Sequence, residues 1–534
     1  MADLSNSQRD APQTPVNENP FADTEKGTST PGGDSDFDTP TIVGSERALS
    51  TRDGDEKAAA ARQDDDADAD PNVVDWDGPE DGENPQNWPE KKKWTLIAVM
   101  SIMTLVTPLG SSMFAPGIPK IMVEFNEFSS TTATFLLSVY ILGFAFGPLF
   151  VAPLSETYGR SPCYHTGNVL FTVFSVGAAL SNSMGMLMAF RFLMGLAGSV
   201  PITIGSGSIA DVMPVEKRGR AMAAWAMGPL LGPCIGPVAG GYLIAAAGWR
   251  WVYWLITILA GIISVIAFFT LNETYAPLLL QHKTDRLIKE TGNQNLRSKL
   301  ASNTTVMENF KLAAIRPMKL LVMTPIVTLM AVYMAITYGI LYLLFTTFSF
   351  VYAQKYGFDE GASGATFLPA GIGMFFGIVV FGAMSDIIVR NNQAAGIEHR
   401  PEFRIMPKFC IPAALMLPAG LFMYGWTVYY SVYWIVPMIG VVIFSCGLMG
   451  TMVCVQNFLL DTYPQYAASV TAALAVLRSL AGALLPLGGL DMYDALGLGW
   501  GNSLLGFISL GLAPLPVLFY VYGPVLRKRF SPNL

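Results

Sequence analysis

Charge is scarce in this 534-residue chain: Asp, Glu, Lys and Arg make up 14% of it, where a soluble domain carries about a quarter. An ordinary soluble fold is thereby excluded. Histidine and cysteine are scarcer still, three and five residues. Cys163, Cys234, Cys410, Cys446 and Cys454 show no metal-ligand spacing and the histidines form no cluster, so no metal and no cofactor are expected. Cys446 and Cys454 stand eight apart in one apolar run, which does not suit a disulfide. A phosphate-binding Gly-Lys-Ser/Thr loop is lacking, which excludes a pump driven by ATP. The basic residues are scattered and do not form a nucleic-acid surface, and the polar constellation of a membrane-interior enzyme is missing. The start of the chain has neither the basic segment nor the apolar core of a secretory signal, so its removal is not expected.

What the chain has is apolar sequence, 52% of residues, unevenly distributed. Residues 1–90 hold 23 acidic and six basic residues, a net charge of −17, whereas the remainder holds 27 basic and 17 acidic residues, a net of +10. The formal charge of −7 describes neither part. The first 90 residues are rich in Pro, Gly, Ser, Thr and Asp, with an acidic block from Asp64 to Asp70. Such a composition cannot bury enough apolar surface to offset the entropy of ordering, so a disordered acidic tail is expected. Thr14, Thr30 and Thr39 each precede a proline and read either as proline-directed phosphorylation sites or as ordinary tail composition.

From Trp94 the chain becomes a series of apolar runs separated by short polar punctuation. A membrane helix needs about 20 largely apolar residues. Twelve such runs, spans 1 to 12, centre near residues 105, 142, 172, 196, 232, 261, 332, 375, 416, 444, 477 and 512. None alternates with the period of two that marks a membrane barrel. The cations fall on one side of this pattern, at Lys91 to Lys93, Arg160, Lys217, Arg218, Arg220, Arg390, Arg400, Arg404, Lys408, Arg527 to Arg529 and throughout the connector between spans 6 and 7. The other side offers little beyond Lys120, Lys355 and Arg250. The positive-inside bias makes the first side, with both termini, cytoplasmic. A sequon at Asn303 then escapes glycosylation. The expected division is a tail over 1–90, a six-span bundle over 91–271, a cytoplasmic connector over 272–319, a second six-span bundle over 320–523 and a short basic tail over 524–534.

The two halves carry a weak internal repeat. Leu154-Ser155-Glu156-Thr157-Tyr158-Gly159-Arg160 follows span 2 and Met384-Ser385-Asp386-Ile387-Ile388-Val389-Arg390 follows span 8, each with Ser-acid and an Arg four residues after the acid. Further marked stretches are Asn84-Pro85-Gln86-Asn87-Trp88 before span 1, Gly248-Trp249-Arg250-Trp251 at span 6, Glu273-Thr274-Tyr275-Ala276-Pro277 after it, and Tyr338-Gly339-Ile340-Leu341-Tyr342-Leu343 in span 7. In these stretches and their order, from Asn84 to Arg529, the chain resembles the major facilitator superfamily, specifically its twelve-span drug:proton antiporters of fungi. The resemblance implies an all-α membrane protein of two pseudo-symmetric six-helix bundles around a central cavity. It further implies a monomeric transporter in the lipid bilayer of the plasma membrane, not an enzyme, that exports small molecules by alternating access in exchange for protons.

Three motifs carry mechanism. Glu156, Gly159 and Arg160 keep the superfamily's loop pattern, while Ala152, Thr157 and Ser161 depart from it. An acid and an Arg four residues apart can pair across one helical turn, and the acid favours a facing helix N-terminus. With Asp386 and Arg390, this pair either gates the conformational switch or anchors a helix end. In span 4, Arg191-Phe192-Leu193-Met194-Gly195 resembles the superfamily's Arg-x-x-x-Gly motif, and Arg478 lies in the middle of span 11. An arginine at the bilayer centre costs roughly 2.5–3.5 kcal/mol on insertion scales, so each either coordinates a functional charge or binds backbone carbonyls to fix packing. In span 5, Gly232-Pro233-Cys234-Ile235-Gly236-Pro237-Val238-Ala239-Gly240-Gly241 resembles the antiporter motif, with Ala223 at an upstream glycine position. Its glycines allow close helix approach and its prolines a bend, which together suit a gate for export.

Tyr338, Tyr342 and Phe345 share one face of span 7, and Gln456-Asn457 lie near the end of span 10. They either line a cavity that grips hydrophobic molecules by stacking and adaptable hydrogen bonds, or pack as core. No acid falls in the middle of a span: Glu156, Asp211, Asp386 and Asp461 all lie near cytoplasmic ends. Polycations are therefore disfavoured as cargo. The two arginines admit neutral or anionic molecules, either hydrophobic drugs in variety or one fungal metabolite or weak organic acid. Glu156 and Asp211 are the candidates for a proton-carrying group, with uncoupled facilitation as the alternative. His165 lies near the membrane edge, and His282 and His399 lie in loops.

Overall fold

The computed structural model describes residues 72–78, 80–300, 306–397, 400–463 and 466–529. The Thr-Pro sites, the acidic block, the sequon and His399 lie outside the described residues. Among the described residues, ten helical runs are long and apolar enough to cross a membrane. One of them, Ser469–Arg527, is 59 residues long and holds two crossings, because Gly497, at φ 73°, turns the chain between spans 11 and 12. A further helix, Arg160–Ala179, has the length but carries Arg160, His165 and Asn168, and its packing against spans 4 and 6 makes it span 3.

The remaining spans are Glu90–Ser112, Ser130–Tyr158, Met184–Val212, Val215–Ala247 and Arg250–Thr270 in the first half. In the second half they are Pro325–Tyr356, Glu360–Ala394, Pro407–Tyr429, Ile435–Thr462, Ala467–Leu484 and the helix after Gly497. The halves repeat one packing scheme: span 1 on 5, 2 on 4 and 3 on 6 in the first, 7 on 11, 8 on 10 and 9 on 12 in the second. Across the halves, span 5 packs on 8 and span 2 on 11.

Lipid supplies no hydrophobic force between helices, so close packing relies on small residues. The equivalent pairs use them in the same way. A Cβ on Gly143 of span 2 would lie 2.6 Å from the Phe192 carbonyl of span 4, and one on Gly377 of span 8 would lie 2.4 Å from the Cys446 carbonyl of span 10. The face at which span 1 begins is called here the terminal face, and the other the opposite face.

The disorder expected through residue 90 does not hold for residues 72–78 and 80–89, which are docked. The strand Val73–Val74 pairs in parallel with Arg297–Ser298 of the connector, Arg297 N–H donating to the Asn72 carbonyl at 2.8 Å. Asp77 and Asp81 close on Lys283 at 2.8 and 3.0 Å, Asp75 on Lys299 at 2.6 Å and Glu83 on Arg286 at 2.8 Å. The Lys283 side chain is 3% exposed. Composition treats these acids as solvated, whereas here they meet Lys283 and Arg286 on the connector helix Ala276–Thr291 and Lys299 beyond it. The backbone N–H groups of Asp77 and Glu83, then Lys283, hold the Asp81 carboxyl down to about 2. Burial pulls the Lys283 ammonium down, but its contacts with Asp77 and Asp81 outweigh it and leave it above its ordinary value.

Candidate functional site

At the terminal face the expected Glu156–Arg160 pair does not form. The span 2 helix stops at Tyr158, Gly159 takes φ 99°, and Arg160 begins the next helix, so the two residues never share a turn. Arg160 instead reaches Asp211 at the end of span 4, Nε to Oδ2 3.3 Å, and donates from Nη1 to the Ser155 hydroxyl at 2.8 Å. Its guanidinium lies 4.9 Å from the Tyr275 ring centre. Glu273 accepts the backbone N–H groups of Arg160 and Ser161 at 2.9 and 3.0 Å, an anion on a helix N-terminus. Thr274 donates to Asp211 at 3.4 Å. A Cβ at position 159 would lie 2.3 Å from the Glu273 carboxylate, so glycine is required by both backbone and space. Glu156 is exposed and has no ion pair among the described residues.

The second half builds the same cluster from other parts. Asp386 is bound by Arg404, whose Nε also holds Asp461 at 2.9 Å. Arg390, the residue matched by the repeat, is exposed and without an ion pair among the described residues. Burial lowers the Arg404 guanidinium, yet Asp461 and Asp386 outweigh that and raise it. Glu273 and Arg404 were absent from the expected gate. Glu273 stands in one of the marked stretches, while Arg404, in the short turn Pro401–Ile405, carries no local signal.

The two intramembrane arginines differ. Arg191 is completely buried, and all five of its donors are occupied: Nε by the Leu136 carbonyl at 2.7 Å, Nη1 by the Gly110 carbonyl at 3.3 Å and the Tyr253 hydroxyl at 3.2 Å, Nη2 by the Ser111 and Leu137 carbonyls at 3.0 and 3.4 Å. The Phe114 ring centre lies 3.7 Å away. Arg191 therefore joins spans 1, 2, 4 and 6 and has no donor left for a cargo charge. Arg478 makes no hydrogen bond and no ion pair among the described residues; its buried Nε is unpartnered, and its guanidinium lies 4.9 Å from the Tyr338 ring centre.

Span 5 is a two-sided seam. A Cβ on Gly232 would lie 2.7 Å from Pro108, one on Gly236 2.9 Å from Ser112 and one on Gly240 1.7 Å from the Met113 carbonyl, all on span 1 and the turn after it. Gly228 extends this row, and the spacing of four residues could have revealed it. The other side faces span 8: a Cβ on Gly241 would lie 2.3 Å from the Glu360 carbonyl, and one on Gly364 would lie 2.1 Å from the Pro237 carbonyl. Lys120 and Glu360 add an ion pair of 3.0 Å across the halves at this opposite face.

Of the expected cavity residues, Phe345 is core, buried among Tyr342, Phe348 and Phe367. Tyr342 is also buried, and Tyr338 donates to its hydroxyl at 3.4 Å. Tyr338 is partly exposed, as are Leu329, Val332 and Ile336, but these three form one stripe and Tyr338 points the other way. Its open side is thus interior. Gln456 and Asn457 are partly buried, with no hydrogen-bond partner among the described residues. A cavity of about 540 Å³ opens at the opposite face, lined by Phe128, Ser130, Phe350, Lys355, Tyr493 and Asp494 among others, and includes none of the expected residues.

Two six-helix halves that repeat one packing scheme, joined near one face by a glycine seam and carrying arginine–carboxylate clusters at the other, define an integral membrane transporter. A family model described as Major Facilitator Superfamily matches residues 100–486, and the chain belongs to that superfamily. It is 51% identical over 464 residues to the MFS-type transporter penM of Penicillium rubens, covering 87% of this chain and 91% of the relative. It is 48% identical over 481 residues to the efflux pump radE of Floropilus chiversii, covering 89% of each. Among solved structures it is similar to the partially occluded, inward-open xylose transporter XylE from E. coli, with a TM-score of 0.57 at 15% identity over 83% of this chain and 98% of that one. A bacterial homologue of the lysosomal transporter Spinster matches with a TM-score of 0.58 at 14% identity, over 83% of this chain and 98% of that one.

Proposed function

We propose that the protein exports hydrophobic small molecules from a fungal cell by alternating access, in exchange for protons. The observation that carries this reading is the span 5 seam, which joins the halves at one face through close glycine contacts and one partly exposed ion pair, both of which separate at little cost. The relative named an efflux pump supports the direction. The basic terminal face is cytoplasmic, the membrane is the plasma membrane, and one chain is the working unit. Asp211 carries the proton: it is the one carboxylate paired with Arg160, and neutralising it releases that arginine from span 4. Glu156, exposed and without an ion pair among the described residues, does not serve.

The test is efflux of a fluorescent hydrophobic dye from vesicles holding the purified protein, with and without a proton gradient. Gradient-dependent efflux that Asp211→Asn abolishes is expected; identical rates would remove the coupling and leave a facilitator. A second reading, a dedicated exporter of one metabolite or weak organic acid, is favoured by the unpartnered Arg478. Resistance profiling of a deletion strain separates the two: unchanged resistance with one retained metabolite sinks the broad drug exporter.

A further inference from the structure

We infer that Arg478 and Tyr338 form the anion-binding end of the cargo site, and that the cargo is an organic anion, a carboxylate or phenolate on a flat apolar body. This rests on the export reading and names its substrate class. A guanidinium stays protonated at any physiological pH, so its charge cannot be relieved by titration. Arg478 is partly exposed, but its Nε is buried and has no partner among the described residues, and a buried donor left unsatisfied is unfavourable unless an acceptor arrives. Arg191 shows how this protein satisfies such a group when the role is structural, with five acceptors on five donors.

Arg478 has none of these among the described residues, although it borders the middle of span 7. A Cβ on Gly482, one turn further along span 11, would lie 3.2 Å from the Tyr338 ring and 3.5 Å from Ile141 of span 2, so the pair sits where the two halves meet. The phenols Tyr338 and Tyr342 stand beside Arg478, and no carboxylate is paired with it among the described residues. Tyr338 covers one face of the guanidinium and leaves its edge of N–H groups for a ligand. A carboxylate accepts two parallel N–H bonds from such an edge. The Tyr338 hydroxyl, whose single hydrogen is directed at Tyr342, can turn it to the ligand instead, and the open side of the Tyr338 ring gives the apolar body a surface to stack on.

The test uses the full-length protein in lipid nanodiscs and two probes of one shape, 2-naphthoate and the neutral 2-naphthamide. Wild type is expected to bind the naphthoate roughly tenfold or more tightly, the scale of one charge-assisted bidentate contact. Arg478→Gln erases that preference and leaves naphthamide binding within about twofold, whereas Tyr338→Phe reduces the preference about threefold. Equal affinity of wild type for both probes, or a preference that survives Arg478→Gln, overturns the inference, as does no binding of either. Thermal melting of each variant separates a lost site from a lost fold, and Arg478→Lys, which keeps the charge, retains part of the preference. Intact naphthoate preference without net efflux from vesicles would sink the export reading alone.

Discussion

The two halves each hold one arginine inside the membrane, and they treat it in opposite ways. In the first half Arg191 is wrapped by carbonyls of spans 1 and 2 and the Tyr253 hydroxyl. In the second, Arg478 stacks on Tyr338 and donates to nothing among the described residues. A buried charge whose hydrogen bonds are complete strengthens the fold, while a partly exposed one whose bonds are incomplete contributes little to it. The first half thus uses its arginine as a structural tie, and the second leaves its arginine unsatisfied among the described residues.

The sharpest break of this contrast is removal of each charge. Arg191→Leu is expected to cost more than about 4 kcal/mol, because it dismantles a buried network, and to leave no monodisperse protein after detergent extraction. Arg478→Gln should extract normally and melt at or above the wild-type temperature. Equal losses in the two variants would erase the distinction.

The seam offers a second contrast, within one motif. Gly240→Ala drives a methyl group into span 1, and Gly241→Ala drives one into span 8. Overpacking costs about 1–3 kcal/mol. For Gly240 that cost lowers the melting temperature. For Gly241 it is relieved by parting the halves, so Cys234, buried against Gly371, should react faster with a membrane-impermeant thiol reagent supplied at the opposite face.

The terminal clusters differ in redundancy. Arg160 has one carboxylate partner and Arg404 has two. Asp211→Asn should therefore abolish gradient-dependent efflux, whereas Asp461→Asn should lower it less than about threefold, because Asp386 still holds Arg404. Initial efflux rates decide.

The docked segment before span 1 gives the smallest effect. The folded Asp81 carboxyl lies near 2, below its unfolded value of 3.8. Its contribution is therefore complete above 3.8 and disappears as pH falls through about 2. Protection factors for hydrogen exchange at residues 73–78 and 80–88, which take out the intrinsic pH dependence of exchange, should be high at pH 6 and fall below pH 4, and Lys283→Ala should lower them at all pH values while changing efflux less than about twofold.

Much of this architecture is legible in the sequence, because span length and cation placement are set locally by the bilayer. Span 3 was legible by spacing although its polar residues dilute its hydropathy. The span 5 row is legible because a period of four puts glycines on one helix face. The site was not legible to the same degree. Glu156 and Arg160 have the spacing of a helical pair, but Gly159 ends the helix between them, and a backbone dihedral outweighs sequence spacing. Phe345 has the spacing of a cavity residue, yet its face turns into the aromatic core.

The sequence alone determined that this is a twelve-span membrane protein of two related halves, with its basic loops on one face, since each of those properties follows from composition within a single run. Which charges find partners was decided only by the tertiary structure. Asp211 with Arg160, Asp461 with Arg404, and the acidic segment on Lys283 join residues between 51 and 202 positions apart. Arg191 and Arg478 are indistinguishable as letters in an apolar run. They differ because a guanidinium's state depends on how many acceptors the packing brings within about 3 Å, and only the fold sets that number.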